Sequence, residues 1–213
     1  MLGRGRSGLN LIGLDFDNTI VSYDALFHQV ALEKSLIPAS LPKSKVAVRD
    51  YLRGVDNEDA WTEMQGYVYG ARMADASAYP GATEFMRLAR QHGKSLAIVS
   101  HKTRYPFLGP RYDLHEAARS WVENELAAQN LIEVDQVFFE LTKDDKIRRV
   151  AEIGCDYFID DLPEILLAPA FPRETAGILF DPESSHTGEY ASARFESWQD
   201  IAAHFEAIWK TRQ

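Results

Sequence analysis

The run Leu9-Asn10-Leu11-Ile12-Gly13-Leu14 leads directly into Asp15-Phe16-Asp17-Asn18-Thr19-Ile20. A short apolar run of this kind suits a strand covered on both faces. It delivers two carboxylates, an amide and a hydroxyl to the strand's carboxyl end. In an open α/β sheet, ligands gather beyond the carboxyl ends of the strands. The meaning of Asp15 and Asp17 therefore depends on whether other polar residues end at the same edge.

Four further stretches have the same character. Lys94-Ser95-Leu96-Ala97-Ile98-Val99 ends at Ser100, and Asp156-Tyr157-Phe158-Ile159 ends at Asp160-Asp161. Gln136-Val137-Phe138-Phe139 and Gly177-Ile178-Leu179-Phe180 complete the set. Helical patterns separate them. Phe85, Leu88 and Ala89 share a face in a segment opened by Pro80-Gly81 and closed by Gly93, as a C-terminal glycine would close it. Asp113 can cap a helix carrying Ala117, Trp121, Val122 and Leu126. Asp144-Asp145 begin one with Ile147, Val150 and Ala151, which Gly154 ends, and the acids suit the helix dipole there. A last helix carries Ile201, Phe205 and Ile208-Trp209. Strands alternating with helices predict an α/β fold, a Rossmann-like parallel sheet with helices on both faces.

The alternation fails between Thr19 and Pro80. No convincing strand appears there, only helix-like pieces over 25–36, 43–52 and 59–69. Such an interval is too long for a loop in a compact domain. The expected organisation is an α/β core made of residues 1–20 and 80–213, with a small α-helical module, residues 21–79, inserted after the first strand.

Composition limits the possible partners. The 213 residues are 46% hydrophobic and 26% charged, with a formal net charge of −9. That acidity argues against broad nucleic-acid or anionic-membrane binding, because both need a basic face. It leaves room for a small phosphorylated metabolite, since a few local cations and a metal ion outweigh the global field inside a cleft. No apolar run approaches the roughly 20 residues that span a bilayer, and the basic start at residues 1–8 reads as a frayed terminus rather than a signal peptide. The single cysteine, Cys155, cannot form an internal disulfide, so a cytoplasmic location is expected, with the thiol buried and inert.

At the strand ends stand Asp15, Asp17, Thr19, Ser100, Asp160 and Asp161, with Lys143 and Lys146 at the start of the helix before the fourth strand. Each has a plainer reading: an acid can cap a helix, a serine can begin a loop, and lysines are usually solvated. Their joint order argues otherwise. Crowded carboxylates repel and raise one another's pKa unless a cation sits among them. A hard divalent ion such as Mg²⁺ takes oxygen ligands and also binds phosphate oxygens. Phosphoryl transfer needs an in-line nucleophile, neutralisation of the phosphoryl oxygens and a proton for the leaving alcohol. A carboxylate can be the nucleophile, and a second one two residues on can supply and then remove the proton.

These residues resemble the motifs of the haloacid-dehalogenase-like superfamily. Asp15-Phe16-Asp17-Asn18-Thr19-Ile20 matches its DxDxT motif followed by an apolar residue. Ser100 after Leu96-Ala97-Ile98-Val99 matches the second motif, Lys146 resembles the third-motif lysine, and Phe158-Ile159-Asp160-Asp161 matches the acidic fourth. The resemblance implies a Mg²⁺-dependent phosphatase acting on a small phosphomonoester through an aspartyl-phosphate. Asp15 would be the nucleophile and Asp17 the acid/base, while Thr19, Ser100 and Lys146 would hold the phosphoryl group. Mg²⁺ would be held by Asp15, the Asp17 carbonyl and the acidic pair; the resemblance favours Asp161 as the direct ligand with Asp160 behind it, and which of the two touches the ion stays open. Lys143 stays open as the rival lysine.

The inserted module would be a cap, and Asp17 separates the chain from the dehalogenases, which lack that second acid. A phosphomutase or phosphotransferase on the same scaffold is the alternative, followed by a receiver-like phospho-accepting domain. Substrate choice would fall to the cap and to the basic stretch His101-Lys102-Thr103-Arg104 with Arg111. Tyr23, Tyr67 and Tyr69 are candidate pocket aromatics, and His186 lies in a polar loop.

Overall fold

A computed structural model of the chain describes residues 11–188 and 192–211; the start of the expected first strand, residues 9 and 10, and the basic segment 1–8 lie outside them. The strands are β1 (Leu11–Leu14), β2 (Val21–Ser22), β3 (Ser77–Ala78), β4 (Ser95–His101), β5 (Val137–Glu140), β6 (Tyr157–Asp160), β7 (Ala176–Phe180) and β8 (Ala193–Phe195). Six of them form one sheet in the order β5-β4-β1-β6-β7-β8, and every neighbouring pair is parallel. The five expected strands are all present. β8 is an additional edge strand of three residues, too short to read from the sequence.

The helices are α1 (Asp24–Glu33), α2 (Lys45–Gly54), α3 (Glu58–Tyr69), α4 (Ala82–Gln91), α5 (Leu114–Glu125), α6 (Lys143–Ile153), α7 (Pro163–Leu166) and α8 (Trp198–Lys210). Alternation of side chains along the strands sorts the core into two layers. Ile12, Leu14, Ile98, Ile159, Ile178 and Phe180 face a large cluster continuous with Phe85 of α4, Trp121 of α5 and Phe205 of α8. Val99, Phe158 and Leu179 face the other way, onto Ile147 and Val150 of α6 and Ile165 of α7. Gly13 points to that second layer. A Cβ there would stand 2.6 Å from a Phe158 ring carbon and 2.7 Å from Cys155 Sγ, so these two side chains fill the space that any other residue at 13 would need. Cys155 is buried, and burial pushes its thiol up to about 12, which makes it inert.

The interval between Thr19 and Pro80 differs from expectation in one respect. Its helices α1, α2 and α3 stand where the sequence places them, but β2 and β3 flank them as an antiparallel ribbon, Val21 opposite Ala78 and Ser22 opposite Ser77. Two residues each are too few to produce a recognisable pattern. The ribbon draws both ends of the insertion together beside β1, and the Tyr79 amide donates to the Ile20 carbonyl at 2.8 Å. Phe27, Val48, Leu52, Trp61 and Val68 of the three helices join the larger core cluster. Among the described residues, no helix is long and apolar enough to cross a membrane.

Strand order reverses at β1, which lies between β4 and β6. Chain segments leaving the carboxyl ends of β1, β4 and β6 therefore diverge around one point, the place where such sheets form a crevice.

Candidate active site

Asp15 follows β1 immediately, and its amide donates to the Ile159 carbonyl of β6 at 2.9 Å. Its side chain is 5% exposed and is held from three sides. Ser100 Oγ, at the end of β4, donates to Oδ1 at 2.8 Å. Lys146 Nζ, from the first turn of α6, lies 2.6 Å from the same oxygen. Thr19 Oγ1 is 3.3 Å from Asp15 Oδ2 and 3.3 Å from Asp161 Oδ1, and its single proton can go to either. Thr19 itself is fully buried, so it braces the two carboxylates against each other.

Lys146 is positioned by a capped helix. Thr142 is the N-cap of α6, its hydroxyl accepting from the Asp145 amide at 3.1 Å. Residue 146 then falls on the face that turns inward with Ile147 and Val150. Its ammonium also lies 2.7 Å from Asp160 Oδ2. Burial opposes its charge, but the charges of Asp15 and Asp160 win and hold it firmly protonated. Lys143, three residues earlier, points outward and pairs with Glu164 at 2.8 Å, both of them roughly half exposed. Geometry thus brings Lys146, and not Lys143, to Asp15.

The two members of the acidic pair are differently placed. Asp160 is fully buried; its Oδ1 accepts from the Leu162 amide at 3.0 Å while Oδ2 faces Lys146. Asp161 is partly open, facing Thr19 and a neighbouring cavity. Oxygens of Asp15, Asp160 and Asp161 lie within 4.8 Å of one another. Burial, and then the charge of Asp15, raises Asp161 well above the ordinary carboxylate range; Asp160 is raised too, with Lys146 opposing. Three carboxylates with one ammonium among them leave a deficit of positive charge. An all-oxygen donor set with that deficit fits a hard divalent cation.

Asp17 is next to this group but engaged elsewhere. Lys102 Nζ lies 2.7 Å from its Oδ2 and 3.0 Å from Oδ1, and the Tyr23 hydroxyl donates to Oδ1 at 2.5 Å. Burial works to raise its pKa, but the Lys102 charge and these hydrogen bonds outweigh it, and Asp17 is held below the usual range. Lys102 is itself buried, its ammonium 4.8 Å from the centre of the Tyr69 ring. It was legible in the sequence only as one of a basic stretch. The available signal was its spacing from Ser100, since residues two apart at a strand end share a face.

The rest of that stretch points away. Arg104 pairs with Asp113 at 3.0 Å, and Arg111 lies over the Tyr105 ring at 4.0 Å. The pKa of His101 is lowered, first by burial and then by Lys146. Of the aromatics, Tyr23 and Tyr69 reach the site, whereas Tyr67 packs against Tyr112 under Lys34. One contributor had no sequence signal at all. Lys45, the first residue of α2, donates from Nζ to Asn18 Oδ1 at 3.1 Å. Asn18 has the left-handed φ of 60° in the turn after β1, a conformation that asparagine tolerates well.

No protein-family model matches the sequence, and no curated protein matches it either. Solved structures do match. A HAD family hydrolase from Deinococcus radiodurans R1, with bound phosphate and sodium, is 18% identical, with a TM-score of 0.55, 94% of this chain and 97% of that one being covered. A structure described as a predicted phosphatase from Clostridium acetobutylicum is 14% identical, with a TM-score of 0.56 and coverage of 94% and 100%. A haloacid-dehalogenase-like family hydrolase from Xanthomonas campestris is 10% identical, with a TM-score of 0.55 and coverage of 96% and 99%. These likenesses establish the haloacid-dehalogenase-like fold that the motifs lead one to expect.

Proposed function

We propose that the chain is a divalent-metal-dependent phosphatase, with Mg²⁺ as its ion, that hydrolyses a small phosphomonoester through an aspartyl-phosphate on Asp15. One observation carries the reading: a buried carboxylate at the end of the central strand is held at once by Ser100, Thr19 and Lys146 beside Asp160 and Asp161. Three of the four sequence motifs meet at Asp15 itself, and the fourth supplies the acids around it.

In the first step Asp15 Oδ attacks phosphorus, the phosphorus–ester oxygen bond breaks, and the leaving alcohol takes a proton. Lys146 and Ser100, both within reach of Asp15, face the phosphoryl oxygens and offset their charge. In the second step water attacks the aspartyl-phosphate, Asp17 accepts its proton, and phosphate leaves with Asp15 restored. Asp17 as seen here is ionised and so already suited to the second step; serving as the acid of the first requires Lys102 to withdraw. Asp15, Asp161 and the Asp17 carbonyl would hold the metal, with Asp160 fixed behind them by Lys146. The ion would supply a further positive charge against the phosphoryl oxygens. The inserted helices α1 to α3 serve as the cap, bringing Lys45 and Tyr69 over the site.

The test is phosphate release from a panel of phosphomonoesters with Mg²⁺ and with chelator. Release that needs Mg²⁺, and that falls by about three orders of magnitude or more in Asp15→Asn with the fold intact by circular dichroism, is the expected result. Undiminished turnover by Asp15→Asn would reject the nucleophile. A phosphomutase would yield an isomerised ester in place of free phosphate, and a phospho-accepting domain a long-lived phosphorylated chain.

A further inference from the structure

A cavity of about 290 Å³ adjoins the acidic cluster, with Asn18 and Asp161 in the shared wall. Helix α2 contributes Lys45 and Arg49, one helical turn apart, to the cavity's lining, and Arg49 also pairs with Asp50 at 2.8 Å. We propose that this cavity receives the leaving group of the substrate, and that Lys45, with Arg49 beside it, selects a phosphomonoester whose alcohol carries a second anionic group, a carboxylate or a second phosphate. The proposal rests on the phosphatase reading and names its substrate class.

Lys45 differs from the other two ammoniums at the site in having no carboxylate in contact. The other ammoniums at the site are neutralised, Lys146 by Asp15 and Asp160, Lys102 by Asp17. Lys45 is not. Its ammonium touches the neutral Asn18 amide oxygen, and the rings of Tyr69, Phe27 and Tyr23 stand 5.6, 5.7 and 5.9 Å away. No carboxylate lies within ion-pair distance of it among the described residues.

The cavity does contain acids, but they are committed. Asp24 accepts from the Lys45 backbone amide at 2.7 Å, fixing the start of α2. Asp181 is buried and accepts from the Ser185 and His186 amides, with Arg194 2.9 Å away. Asp161 belongs to the metal cluster, and Glu183 is exposed at the rim. Burial works to lower the pKa of Lys45, but Tyr69, by charge and by hydrogen bond, and then the charges of Asp17 and Asp161 outweigh it and hold it raised; the ammonium stays charged, with no carboxylate in contact, where a substrate anion in the cavity would meet it.

Size narrows the class further. Ligand pockets commonly hold roughly 300–1,000 Å³, so this one is at the bottom of the range. It suits a small leaving group of a few carbons.

The experiment uses matched two-carbon esters: phosphoglycolate, ethylene glycol bisphosphate, neutral ethyl phosphate and cationic phosphoethanolamine. Phosphoglycerate and glycerol phosphate form a three-carbon pair. Binding to the full-length Asp15→Asn protein with Mg²⁺ is measured by calorimetry, independently of turnover, and kcat/KM is measured with the unaltered protein. One charge-assisted contact predicts that the anionic esters bind about tenfold or more tighter than the neutral ones, with phosphoethanolamine weakest. The ratio should collapse toward one in Lys45→Met and survive in Lys45→Arg. The carboxylate and phosphate arms identify which anion the site takes. Equal binding of anionic and neutral esters overturns the proposal, as does a preference that persists in Lys45→Met. If anionic esters bind selectively but release no phosphate, the phosphatase reading fails and the selectivity stands; brisk turnover without selectivity does the reverse.

Discussion

Lys146 and Lys143 lie three residues apart in one helix and have opposite surroundings. Removing the Lys146 ammonium leaves Asp15 and Asp160 buried without their shared cation. Breaking a buried pair in this way costs roughly 3–5 kcal/mol. Lys146→Met should therefore lower the denaturation midpoint sharply and reduce Mg²⁺-dependent phosphate release at least about a hundredfold. Lys143→Met, which removes only a half-exposed contact with Glu164, should leave both measurements close to their starting values. Equal losses in the two variants would show that α6 does not present Lys146 to the site as described. The sequence could not choose between them, because the choice depends on which face of α6 turns inward, and Thr142 fixes that by capping the helix one residue before Lys143.

At the scale of an element, the turn leaving β7 is organised by one carboxylate. Asp181 is 2% exposed. Burial works to raise its pKa, but the amides of His186 and Ser185 and their side chains prevail and hold it down at about 2. A carboxyl whose folded pKa is lowered contributes stability that is present above its unfolded value near 3.8 and is lost as pH falls toward 2. Asp181→Asn presents an amide to a set of donors. It should cost about 1–2 kcal/mol at neutral pH, and the gap to the unaltered protein should close between about pH 4 and pH 2. Urea titrations at several pH values read this directly, and a gap independent of pH would contradict it.

The elements themselves were unevenly legible. Strands β4, β6 and β7 are continuous apolar runs because both faces are covered, and that pattern survives in any sequence reading. β2, β3 and β8 exist because neighbours offer them a pairing edge, which no local pattern records. The same division holds for the site. Asp15, Ser100 and Asp160-Asp161 announce themselves by ending strands, whereas Lys45 is brought to Asn18 by the packing of an inserted helix 27 residues further along the chain.

For the whole molecule, the charge deficit around Asp15, Asp160 and Asp161 makes metal binding a matter of stability as well as chemistry. An ion that binds only the folded chain at about a hundred times its Kd adds about 2.7 kcal/mol, worth roughly 5–10 °C in a domain of this size. Mg²⁺ should raise Tm by that order over chelator, and Asp161→Asn should abolish most of the difference. An unchanged Tm across a wide Mg²⁺ range would remove the metal from the cluster.

The central place of β1 bears on how the chain is made. Its partners on either side, β4 and β6, follow it after the whole helical insertion and, for β6, after most of the remaining fold. During synthesis the strand that leads into Asp15 emerges before either partner and waits with its pairing edges open until β4 and β6 arrive. Parallel pairing at such sequence separation is slow to close, and open edges invite association with other chains. The residue at the heart of the site thus sits on the segment most dependent on protection while the chain is being made, and refolding yield should fall with concentration sooner than stability alone would suggest.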